Sequence, residues 1–133
     1  MPRGDLEVIR AGVEAVNRGD MDAWLETIHP EIEFVDPPDT PDDSSGTGRE
    51  AALASIKRML DVAEEVHAEI EEVTETEDGR LLVTTRVLAR GKGSGVPLEF
   101  VRWDLITVRD EMIARNEIYL DRAEALAAAG LEP

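Results

Sequence analysis

A carboxyl among apolar neighbours on one strand face is the first chemical signal in the sequence. Asp104 alternates with Ile106 and Val108 in the run 97–109. Successive strand residues face opposite sides, so the three share one face, and its apolar members place it toward the interior. A carboxyl there can be kept neutral by desolvation and act as a hydrogen-bond donor or acid. The structural alternative is an ion pair with Arg102 or Arg86. Asn116 has the parity of Ile118 and Leu120 on the next strand; it and Arg102 are candidates for polar pocket lining, with a satisfied core amide as the alternative for Asn116. Asp36, before Pro37, reads by itself as the start of a turn.

Other constellations fail on spacing. His29 and His67 lie far apart, and neither has a partner at metal-ligand spacing. His29, next to Pro30, is expected to cap the carbonyl end of a short helix. None of the serines stands in a G-x-S-x-G setting, and the two lysines, Lys57 and Lys92, lie on a charged helix and in a glycine loop. Gly91-Lys92-Gly93-Ser94-Gly95 lacks the spacing of a phosphate-binding loop and runs into a strand, so it is a hairpin. No cysteine is present, which removes disulfides, thiol nucleophiles and thiolate metal sites. No metal and no cofactor is expected.

The 133 residues carry 30 acidic against 14 basic side chains, a net charge of -16. A charge of that sign repels phosphate backbones and anionic lipid, so neither nucleic acid nor a membrane is expected as partner. The length suits one domain, residues 1–133, with its own core. The amino-terminal run has no apolar leader, and nowhere do ~18 apolar residues follow one another, which makes a soluble cytoplasmic protein the expectation.

The elements that must position these residues follow from periodicity. Leu6, Val8, Ile9, Val13 and Val16 make one helical stripe, ended by Asn17-Arg18-Gly19. Asp20 caps a second helix with Met21, Trp24, Leu25 and Ile28 on one side, stopped by Pro30. That stripe reads as core, and Trp24 is also a candidate for pocket lining. Residues 31–35 alternate as a strand, a proline-rich loop covers 36–46, and Thr47 with Glu50 is expected to form a capping box for a long third helix. Strands are predicted over 67–76, 80–90, 97–109 and 112–120, followed by a terminal helix ending at Gly130. Helices gathered before a meander of strands indicate an α+β domain, a curved antiparallel sheet wrapped on a long helix. Trp103 and Tyr119 have outward parity, as expected of a dimer surface.

Asn17-Arg18-Gly19-Asp20-Met21-Asp22-Ala23, His29-Pro30-Glu31-Ile32-Glu33-Phe34, Asp36-Pro37, Gly46-Thr47-Gly48-Arg49-Glu50 and Tyr119-Leu120-Asp121-Arg122-Ala123-Glu124-Ala125-Leu126 together resemble SnoaL-like proteins of the nuclear transport factor 2-like superfamily, relatives of polyketide cyclases and ketosteroid isomerase. The resemblance spans nearly the whole chain. It implies a cystatin-like cone, in which the sheet, two amino-terminal helices, the long helix and a short carboxy-terminal helix enclose a pocket, commonly as a homodimer. It also implies a small apolar or carbonyl-containing ligand, with isomerisation, cyclisation or hydration as the chemistry. A non-catalytic ligand-binding or dimerisation module of the same fold is the alternative. Carried over residue by residue, the isomerase's general base falls on Asp36 and its protonated aspartate on Asp104. Its oxyanion tyrosine falls on Gly12, which has no side chain. Two carboxyls in an apolar pocket, one ionised and one neutral, suit proton abstraction next to a carbonyl, and ketosteroid isomerase is itself the well-known example of carboxyls tuned in this way.

Overall fold

The computed structural model describes residues 4–37 and 46–132. The helices are α1 (Asp5–Arg18), α2 (Met21–Glu26), α3 (Arg49–Val62) and α4 (Arg122–Ala129). The strands are β1 (Ile28–Val35), β2 (Gly46–Thr47), β3 (Ala63–Glu75), β4 (Leu81–Gly91), β5 (Pro97–Arg109) and β6 (Met112–Tyr119). They form one sheet in the order β2-β1-β6-β5-β4-β3, antiparallel except where β1 runs parallel to β6. The α+β architecture expected from the sequence is therefore present. Most of the 36–46 loop lies outside the described residues. No helix of the described residues is long and apolar enough to cross a membrane.

Caps set the helix ends as their residue types require. Gly19 and Gly130 close α1 and α4 in the left-handed conformation. Asp20 and Asp121 accept a backbone N–H of the first turn of α2 and α4. Three boundaries differ from expectation. The long third helix, expected to carry Ala63 and Val66 on its apolar stripe, ends at Val62, and both residues belong to β3. Ile28, His29 and Pro30 belong to β1 and not to the second helix: Thr27 Oγ1 donates to Trp24 O at 2.6 Å, while the Thr27 carbonyl accepts from Ile113 N at 2.7 Å, which turns the chain into the sheet beside β6. His29 is therefore no helix cap. Its Nδ1 accepts from Glu31 N at 3.0 Å, and its Nε2 lies 3.3 Å from Asp110 Oδ2. Nor does Thr47 form the capping box. It pairs with Glu33 in β2, and the cap of α3 is Gly48, whose φ of 98° favours glycine.

Register shifts in β3, between β5 and β6, and between β1 and β6 bend the sheet. Its concave face buries a core of Val8 and Ile9 from α1, Ile32 and Phe34 from β1, Ala52 from α3, and Val83, Ile106 and Ile118 from the strands. The convex face carries a second layer, where Leu82 and Leu105 pack under Ala125, Leu126 and Ala129 of α4. Trp103 and Tyr119 have the outward position their parity indicates, and they pack against this α4 layer. At the free edge, Asn17 holds β3 as a strand partner would, giving Nδ2 to Ala68 O at 2.9 Å and receiving Ala68 N on Oδ1 at 2.8 Å. Glu64, Glu65, Glu69, Glu71, Glu72 and Glu75 stud that edge strand with negative charge, which discourages edge-to-edge pairing.

Candidate functional site

Inside the concave face is a cavity of about 140 Å³, walled by α1, α2, α3 and the inner positions of β1, β4, β5 and β6. Ile9, Val13, Val16, Trp24, Phe34, Met59 and Val83 make it largely apolar. Its polar wall is built by strand alternation. Arg102 and Asp104 are two residues apart on β5, so both face inward. Asn116 on β6 stands opposite Ile106 and diagonal to Asp104, within reach of the carboxylate.

Asp104 accepts three N–H bonds. Arg102 Nε reaches Oδ1 at 2.8 Å, Arg102 Nη2 reaches Oδ2 at 2.7 Å, and Asn116 Nδ2 reaches Oδ2 at 3.2 Å. The pair is bidentate, the geometry in which arginine binds carboxylate most strongly. Of the two cations considered from sequence, Arg102 on the same strand is the partner. Arg86 faces outward and pairs with Glu71 and Glu99 at 3.4 and 3.2 Å. Burial works against the Arg102 charge, but the charge and hydrogen bonds of Asp104, with a further contribution from Asp36, outweigh it and hold the guanidinium above its ordinary value. Asn116 Oδ1 is buried without a hydrogen-bond partner among the described residues.

Asp36 follows β1 and is 5% exposed. Ser55 Oγ donates to its Oδ1 at 3.2 Å and Arg58 Nη1 to its Oδ2 at 3.4 Å, both from one face of α3. Ser55 lines the cavity; among the described residues, Asp36 is not part of the lining and sits one hydrogen bond behind it. Thus Trp24, Arg102, Asp104 and Asn116 share one cavity, with Asp36 at its margin and close enough to act on the charge of Arg102. Gly12 also lines the cavity. A Cβ there would approach Thr27 Oγ1 to 3.1 Å, so the backbone of α1 comes close to α2 where the resemblance places a tyrosine.

Ser55 and Arg58 are site residues that the sequence reading did not single out. A signal was present for Ser55: it interrupts the inward stripe of α3 between Ala52, Ile56 and Met59, where an apolar residue would be expected.

Residues 9–116 match the SnoaL-like domain model. Similar solved structures include a putative polyketide cyclase from Xanthomonas campestris pv. campestris, at 24% identity, 92% of this chain, 94% of that one and a TM-score of 0.68. A putative isomerase from Bacillus subtilis gives 18%, 96%, 96% and 0.75. A hypothetical protein with a ketosteroid isomerase-like fold from Catenulispora acidiphila, in complex with trimethylamine, gives 22%, 95%, 94% and 0.71. No curated protein matches the chain. With its curved sheet, enclosing helices and a family match over most of its length, the chain belongs to the SnoaL-like domain family.

Proposed function

We propose that the cavity takes a small carbonyl compound and that Asp36 removes a proton from the carbon next to its carbonyl. The C–H bond breaks, the proton goes to the Asp36 carboxylate, and the electron pair moves onto the carbonyl oxygen to give an enolate. In a β,γ-unsaturated ketone, return of the proton from Asp36 to the γ carbon completes an isomerisation; where a second carbonyl is in reach, attack of the enolate carbon on it, with the Asp36 proton passing to the new alkoxide oxygen, completes a cyclisation. The observation that carries this reading is a buried carboxylate at the margin of an apolar cavity that also holds a cation, Arg102. Asp104, expected as the acid, has a different part in this proposal. Both its oxygens accept from Arg102, so it is read as the residue that positions the guanidinium.

The test is exchange of the α-protons of cyclohexanone or a similar ketone in deuterated buffer, followed by NMR. The native chain should accelerate exchange, and Asp36→Asn should lower the protein-dependent rate by about 10²–10⁴-fold, the usual contribution of a positioned base. Unchanged exchange in Asp36→Asn would remove the role. One observation favours a second reading, a binding module without turnover: Asp36 is engaged by Ser55 and Arg58 behind the cavity wall. Ligand-dependent thermal stabilisation with no exchange would select it.

A further inference from the structure

We infer that the end-on face of the Arg102 guanidinium receives an oxyanion of the ligand, either the carboxylate of a small apolar acid or the enolate oxygen of a small ketone. The inference rests on reading the cavity as the ligand chamber. A guanidinium carries five N–H bonds in a fixed plane. Nε and Nη2 each give one to Asp104. No other hydrogen-bond partner of Arg102 stands among the described residues, so the second N–H of Nη2 and those of Nη1 form a second fork, spaced for two carboxylate oxygens or for one in-plane oxygen.

The fork is both fixed and reachable. Two bonds to Asp104 set the plane of the guanidinium, and Asn116 bonds the same carboxylate from the neighbouring strand, so the donors are oriented before a ligand arrives. The Arg102 side chain lines the cavity and is 23% exposed. Beyond its polar neighbours Thr85, Asp104 and Asn116 the cavity is largely apolar, where a charge-assisted hydrogen bond gains strength over its value in water. The charges also balance. Among the described residues Arg58 and Arg102 offset Asp36 and Asp104, and for an enolate formed in the cavity a proton passed from ligand carbon to Asp36 moves one negative charge to the oxygen at Arg102 without changing the sum. A cavity of about 140 Å³ is the size of one that holds benzene, so the apolar body is a single ring or a short chain.

Calorimetric titration of the full chain at pH 8 tests this with four ring compounds: cyclohexane-1,3-dione, ionised as its enolate; cyclohexanecarboxylate; cyclohexanone; and cyclohexanecarboxamide. At least one anion should bind about tenfold or more tightly than its neutral counterpart, and Arg102→Gln should shrink that preference to within about threefold. The tighter anion tells whether the natural oxygen is a carboxylate or an enolate. Because Arg102→Gln leaves Asp104 without its cation, the double variant Arg102→Met/Asp104→Leu removes the pair together; it should lose the preference and still bind cyclohexanone. Equal binding of neutral and anionic compounds by the native chain, or a preference that survives in both variants, overturns the inference. Asp36→Asn separates it from the base: it should keep the anion preference and lose proton exchange. A native chain with an Arg102-dependent preference but no exchange refutes the base and leaves the oxyanion position standing.

Discussion

Strand β5 serves two apolar layers with alternate residues, and the layers are built differently. Outward, Leu105 is 1% exposed and packs with Leu82 under Ala125, Leu126 and Ala129, with Trp103 and Tyr119 beside them. Inward, Ile106 joins the main core, but its neighbours on the same face, Asp104 and Arg102, are an ion pair beside a cavity. The outer layer is close-packed by hydrocarbon, as a layer whose task is stability should be. Apolar side chains of similar volume commonly replace a buried ion pair at no cost in stability or with a gain. Stability therefore does not require the inner arrangement, which is the one the proposed oxyanion position would use.

The largest effect that tests the contrast is in the outer layer. Leu105→Ala should cost about 3 kcal/mol, the transfer of the lost methyl and methylene groups plus the cavity left under α4, read from urea unfolding. No second substitution inside should recover it. The next is Asp104→Ala, which leaves Arg102 uncompensated and should cost about 2 kcal/mol, reduced from the full buried-pair value because Arg102 is 23% exposed. Here most of the loss should return in Arg102→Met/Asp104→Leu. A double variant no more stable than Asp104→Ala would mean that the pair does hold the fold together, and the contrast between the layers would break.

The smallest effect sharpens the outer side. The side-chain bond from Arg80, with that from Thr76, holds the Asp78 carboxyl at about 2, and Arg80 Nη2 also reaches Ala128 O of α4 at 3.5 Å. Asp78 has its folded value below its usual 3.8, so its stabilising contribution is full above that pH and is lost as the pH falls toward about 2. Asp78→Asn should abolish that acid-side dependence without changing stability near neutrality by much, since Asp78 is exposed; NMR titration of the carboxyl with parallel unfolding curves checks it.

Much of the site was legible as direction and little of it as partnership. Alternation placed Asp104, Arg102 and Asn116 inward and Trp103 outward, because strand parity depends only on neighbours in the chain. Whether Arg102 or Arg86 met Asp104 was open, since parity within β5 does not say which face of β4 carries Arg86; that depends on the register between the two strands. For Ile28-His29-Pro30, a helical spacing was outweighed by pairing with β6, and for Thr47 a capping motif was outweighed by pairing with Glu33. In both cases backbone hydrogen bonds to a distant strand displaced a local preference.

The sequence by itself determined what is local: the glycine ends of α1 and α4, the aspartate caps, the strand period and the inward face of Asp104. Each follows from the conformational limits of one residue and its close neighbours. Only the tertiary structure decided that Ser55 and Arg58 of α3 would hold Asp36, that the Arg102–Asp104 pair would line a largely apolar cavity, and that α4 would cover the outer face. Those are contacts between elements, and their geometry depends on how far the sheet bends at its bulges and how closely the helices then pack against it.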